Sequence, residues 1–251
     1  MSEIIKFENV YFKHENNDSL VNFTYSLDQG ENLVIFGPEN SGLELIGAII
    51  AGFIKDYQGS VTYKGREIKS LNYIDTYAIR KEIGYIQKDY GLISNMTVFE
   101  NIALPLRYHS QLSGQEIDEI VNDYVKEMNL EHCKNLRPVY LRKSEILRTA
   151  YLRSIAFDPD LILVEHSLEG QCQLNAQTFL KNLKKESFSK SRSAIFITFY
   201  PRLFTDLGDK FIMLYDGHAV FNGNRSDFTS TENKYVRQYL ESSLEGPMKI
   251  L

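Results

Sequence analysis

Gly37-Pro38-Glu39-Asn40-Ser41-Gly42-Leu43-Glu44 has the glycine spacing of a phosphate-binding loop, G-x-x-x-x-G-K-[ST]. In that pattern backbone N–H groups cradle phosphates, a lysine reaches the outer ones and a hydroxyl ligates Mg²⁺. Here Gly37 and Gly42 are in place with Asn40 between them, but the lysine position is Leu43 and the hydroxyl position is Glu44. Losing a cation a few ångströms from phosphate removes roughly 4 kcal/mol at an effective dielectric near 20. Glu44 adds an opposing charge. A helix N-terminus favours an anion, so Glu44, or Glu39 within the loop, either fills the nest in place of phosphate, or Glu44 caps the helix in solvent. Both arrangements disfavour phosphate.

The elements that hold this loop are legible around it. Leu33-Val34-Ile35-Phe36 reads as a buried strand, and Leu45 to Ile50 as the start of a packed helix. Residues 4–12 and 21–27, rich in aromatic and β-branched types, read as strands, and 60–64 as a short one. Thr97 with Glu100, and Ser113 with Glu116, are helix-start signals across 97–131, and 144–157 carries an apolar helical face. Strands follow at 161–164 and 194–198, then a hairpin turning through Asp216-Gly217. This order predicts an α/β fold with a mainly parallel core sheet and an antiparallel N-terminal portion.

Composition excludes several classes. At 251 residues, 43% hydrophobic and 24% charged, the chain can bury a large core. A net charge of −5 gives no basic footprint, so no nucleic-acid partner is expected. Cys133 and Cys172 lie far apart without a CxxC or Cys/His pattern, so neither a disulfide framework nor a metal site is expected. No apolar run is long enough to span a bilayer, and the N-terminus lacks signal-peptide features. The expectation is a cytoplasmic protein whose membrane contact comes only through a partner.

Later landmarks give the loop its context. Gly84-Tyr85-Ile86-Gln87, then Met96 to Ile102, then Leu141 to Arg153, Asp158 to Val164, and Leu214-Tyr215-Asp216-Gly217-His218 resemble, in order, the glutamine loop, signature helix, Walker B strand and terminal hairpin of ATP-binding-cassette (ABC) ATPases. The resemblance implies a P-loop NTPase core of RecA type with an antiparallel β subdomain and a helical insertion at about 88–157. The cassette would cover 1–225 and a C-terminal extension 226–251. Thr97 to Arg107, Tyr235 to Leu240 and Glu245-Gly246-Pro247 are similar to ATPase subunits of Mla/Mce-type lipid transporters. That likeness implies a permease partner, a second cassette as homo- or heterodimer, and a peripheral place on the inner face of the cytoplasmic membrane.

The chemistry the resemblance implies is altered at most positions. Walker B ends in Glu165-His166 where an aspartate and a catalytic glutamate are usual. His166 is either a base near neutral pH or a histidine hydrogen-bonded at the sheet edge. The signature reads Leu141-Arg142-Lys143-Ser144-Glu145 without its glycines; its cations either neutralise phosphate or sit at a solvated helix start. The switch histidine is Phe199, the D-loop is Glu169-Gly170-Gln171-Cys172, and the adenine-stacking position is His14 with Tyr11 and Phe12 nearby. Gln87 matches the Mg²⁺-ligating glutamine, and 88–107 resembles the permease-docking segment. The resulting expectation is a catalytically impaired cassette acting as a structural or regulatory subunit, without a cofactor. The alternatives are an ATPase with rebuilt chemistry, which would need Mg-ATP, and a soluble adaptor of cassette fold.

Overall fold

Alternation and bulging shape the first layer. The structure, a computed structural model, describes residues 2–13, 19–190 and 192–249, with side chains throughout except at 185–190. In β1 (Glu3–Lys13) Ile5, Phe7 and Val10 are buried; Asn9 carries a positive φ of 50° at an irregularity in the pairing with β2 (Ser19–Asp28). β3 (Asn32–Phe36) is buried at every position, as befits a strand covered on both faces. After it come α1 (Leu43–Ile50), β4 (Gln58–Tyr63), β5 (Arg66–Glu67), α2 (Tyr73–Glu82) and β6 (Ile83–Ile86). The strands β2-β1-β4-β5 form an antiparallel sheet.

Three helices, α3 (Val98–His109), α4 (Gly114–Glu127) and α5 (Lys143–Ile155), separate β6 from β7 (Leu161–Glu165). Both expected capping boxes are formed, Thr97 with Glu100 and Ser113 with Glu116. α6 (Gln173–Lys190), β8 (Ser193–Thr198), β9 (Lys210–Tyr215), β10 (His218–Asn224), α7 (Arg225–Thr229) and α8 (Lys234–Glu241) complete the order. The larger sheet runs β10-β9-β3-β8-β7-β6, parallel except for the β9–β10 hairpin. Asp216 and Gly217 turn that hairpin with φ of 49° and 76°, as a mirror-image turn requires.

The fold class is therefore the one the sequence implies: α/β, with an antiparallel subdomain and a helical insertion. The sheet divides two cores. Leu33 and Ile35 face α1 and the antiparallel strands, whereas Val34 and Phe36 face the helical side, where Phe228 and Val236 of the C-terminal segment also pack. β3, β8 and β7 lie side by side, so the segments that leave their carboxyl ends converge. Such ends are where parallel α/β sheets hold ligands.

Candidate functional site

The loop after β3 keeps its glycines for close approach. A Cβ on Gly37 would meet the Leu214 carbonyl oxygen at 2.1 Å, and one on Gly42 the Ser19 carbonyl oxygen at 2.2 Å. Gly42 also adopts φ 91° at the N-cap of α1. Ser41 is buried and spends its hydroxyl on the Pro38 carbonyl at 2.6 Å, while Glu39 and Asn40 are exposed. Leu43 does not stand in the loop's cradle. It is fully buried in the core shared with β1 and β2. Glu44 is the residue that faces the convergence point, 37% exposed, with Oε1 3.9 Å from His166 Nε2.

His166 is more deeply buried than a sheet-edge histidine, with a side chain 0% exposed. It leaves β7 with φ 47°, and its backbone N–H donates to the Ile197 carbonyl at 2.8 Å. Its ring lies against Phe199, centroids 4.2 Å apart. Nδ1 is 2.6 Å from Glu169 Oε1, and that oxygen also accepts from the Phe199 N–H at 3.4 Å. A carboxylate only accepts, so Nδ1 carries the hydrogen, and Nε2 faces Glu44.

Glu165 is buried beside it and accepts a hydrogen bond from the Tyr85 hydroxyl. Burial pushes its carboxyl above the ordinary range, and the nearby Glu44 charge pushes the same way; Tyr85, His166 and Lys88 act against this without cancelling it. Gly47 of α1 makes room for the Tyr85 hydroxyl, which would lie 2.8 Å from a Cβ there. The Gly84-Tyr85 dipeptide signals a strand end and gives no sign of this contact.

Gln87 is half-buried beyond β6, its Oε1 3.1 Å from where a Cβ on Gly91 would stand. Arg153 pins the following loop, donating to the carbonyls of Gly91 at 2.7 Å and Tyr90 at 3.0 Å. At the signature position Leu141 and Ser144 are half-buried, and Arg142 and Lys143 are exposed at the start of α5. A helix N-terminus disfavours such cations. Glu145 offsets them: it is buried, with Oε2 accepting from the Arg142 N–H at 2.8 Å and Oε1 2.9 Å from His132 Nε2. The Gln171 amide ties the D-loop to α5 by donating to the Lys143 carbonyl at 3.0 Å. The fold also assembles a cluster the cysteine spacing does not reveal, with His132, Cys133 and Glu145 ligand atoms within 4.8 Å of one another. His14 lies outside the described residues; Tyr11 is exposed and Phe12 half-buried.

Sequence reasoning missed Tyr239. The α8 side chain reaches back so that its hydroxyl lies 2.9 Å from the Gly37 carbonyl and 2.8 Å from that of Phe199, with one hydrogen for two acceptors. Burial pushes this hydroxyl's pKa up. A cleft of about 1000 Å³ opens beside it, lined in part by Tyr11, Pro38, Asn40 and Lys249. The amphipathic spacing of α8 is the signal for a packed helix, and it gives no sign of this contact.

Strand order, loop placement and helical insertion together define an ATP-binding cassette. A family model described as ABC transporter matches residues 20–165, and the chain belongs to that family. It is 24% identical over 246 residues to the intermembrane phospholipid transport system ATP-binding protein MlaF of Haemophilus influenzae, covering 98% of this chain and 93% of the relative. It is 27% identical over 236 residues to the molybdate/tungstate import ATP-binding protein WtpC of Pyrococcus abyssi, covering 92% of this chain and 66% of that one. Among solved structures, a dimeric ATP-binding cassette in a post-hydrolysis state with ADP and Pi superposes with a TM-score of 0.81 at 24% identity, covering 88% and 99% of the two chains. No helix among the described residues is long and apolar enough to cross a membrane.

Proposed function

We propose that this chain is a catalytically impaired cassette subunit of an ABC lipid-transport complex, working as a structural or regulatory part. The observation that carries this reading is the division of labour at the loop: Leu43 is sealed in the core while Glu44 presents its carboxylate where phosphate would bring more negative charge. The family implies Mg-ATP, and these residues do not fit it. The loop offers no ammonium, and the Ser41 hydroxyl is already committed to Pro38. Two buried or half-buried carboxylates, Glu44 and Glu165, already repel each other at the site. Near-full-length likeness to MlaF relatives supports the lipid-transport assignment. The partners proposed are a permease, met through residues 88–107, and a second cassette, met as homo- or heterodimer. The place of work is the inner face of the cytoplasmic membrane.

A second reading has one observation in its favour. His166 oriented by Glu169 at 2.6 Å has the arrangement of a general base held by a carboxylate, which suits an ATPase with rebuilt chemistry. Phosphate release by the purified chain, alone and with its membrane complex, decides between them, alongside titration with a fluorescent ATP analogue. No turnover and no micromolar binding is the expected result. ATP turnover abolished by His166→Gln would establish the second reading. Recovery of the chain only from the soluble fraction, without a permease, would instead favour an adaptor.

A further inference from the structure

His166 Nε2 is buried and has no hydrogen-bond partner among the described residues. Burying a polar nitrogen without a partner is unfavourable, and the surroundings indicate what would satisfy it. The atom facing it is the Glu44 carboxylate oxygen at 3.9 Å. That separation exceeds a hydrogen bond. Two atoms each about 2.1 Å from one tetrahedral metal ion lie about 3.4 Å apart, and the Glu44 carboxylate, on a side chain 37% exposed, can close the remaining gap of about 0.5 Å. On the ring's other side, Nδ1–H donates to Glu169 at 2.6 Å. Metal-binding histidines are held this way, with a carboxylate fixing the tautomer and raising ligand basicity.

We propose that Glu44 and His166 bind one divalent transition-metal ion of the zinc or cobalt type, at the N-terminus of α1 and without nucleotide. The proposal rests on the reading above, that the site no longer takes a triphosphate. Water completes the coordination on the open side, where Glu44 is 37% exposed. Glu169 is a positioning residue. Glu165 is buried nearby, next to His166 in the chain. A mixed nitrogen and oxygen pair selects a borderline metal over Mg²⁺, which prefers all-oxygen ligands and keeps its waters. The His132, Cys133 and Glu145 cluster is the weaker candidate. Both Glu145 oxygens are engaged there, and burial, with the Glu145 charge, pushes the Cys133 thiol up.

The test is titration of the chelator-treated full-length chain with Co²⁺, read by visible absorption, and with Zn²⁺ by calorimetry, both without nucleotide. One equivalent should bind. His166→Gln and Glu44→Gln should each weaken binding at least about 10-fold, Glu169→Gln by about 10- to 100-fold, and Cys133→Ser not at all. Circular dichroism checks that each variant folds, and the Glu44 variant stands in if the His166 one does not. The proposal is overturned if no cobalt spectrum develops up to millimolar metal. It is equally overturned if binding survives both Glu44→Gln and His166→Gln, or is lost with Cys133→Ser. Phosphate release measured in parallel separates the two claims. Inert protein without metal binding removes this inference alone, whereas metal that binds only together with ATP removes the proposed function as well.

Discussion

Restoring the missing lysine should fail, and the structure says by how much. Leu43 is fully buried in the core that joins α1 to β1 and β2. Truncating such a leucine to alanine costs about 2–5 kcal/mol, because contacts are lost and the cavity relaxes only in part. Leu43→Lys loses the same apolar burial and must also desolvate an ammonium or push it out past α1. It should therefore destabilise at least as much as Leu43→Ala. At roughly 2–4 °C per kcal/mol for a chain of this size, that is a fall in melting temperature of about 4–20 °C. Urea unfolding of wild type, Leu43→Ala and Leu43→Lys measures the cost. A fluorescent ATP analogue then reports whether the folded fraction of Leu43→Lys binds nucleotide, and no micromolar binding is expected. If Leu43→Lys keeps the wild-type midpoint and binds ATP tightly, Leu43 is a spectator in an intact cradle and the reasoning from burial is wrong.

Three further outcomes follow from single contacts. Glu165 has its carboxyl raised above the ordinary 4.5 by burial, so the folded state holds a proton that the unfolded state releases. Stability should then fall as pH rises from the ordinary carboxylate range through the raised value, and Glu165→Gln should flatten that part of the pH–stability curve; urea midpoints at stepped pH measure both. Tyr239→Phe removes the hydroxyl shared by the Gly37 and Phe199 carbonyls, which should cost about 1–3 kcal/mol and speed hydrogen exchange in both loops. Ser113→Ala removes the cap that accepts from the Glu116 N–H, for about 1 kcal/mol by denaturation.

What the sequence revealed and what it hid divide along physical lines. Strands β3, β7 and β8 were legible because they are continuous apolar runs, and α3 and α4 because their capping boxes are local pairs three residues apart. The loop was legible because two glycines mark close backbone approach. Less visible were α2 and α8, whose polar faces dilute the apolar signal, and β5, which is two residues long. The site's side-chain partners were hidden for a different reason. Tyr85 meets Glu165 across 80 residues and Tyr239 meets Gly37 across 202, so no spacing rule connects them. The burial of Leu43 was not legible because a motif supplies a role for each position but not the direction of a replacement side chain.

The change at Leu43 also alters what the stability of this fold depends on. In a cassette that takes nucleotide, ligand at 100 times its Kd adds about 2.7 kcal/mol to the folded state. Burying a leucine contributes about 1.5–3 kcal/mol whether or not nucleotide is present. On the proposed reading, stabilisation of nucleotide-bound size is thus built into the apo protein and no longer linked to ATP. Thermal unfolding with and without millimolar Mg-ATP tests this. A nucleotide-linked cassette should rise by about 5–11 °C at 100 times its Kd, whereas this chain should move by less than about 1 °C. A saturable rise of several degrees would show that the loop still takes triphosphate, and that Glu44 yields to it rather than standing in its place.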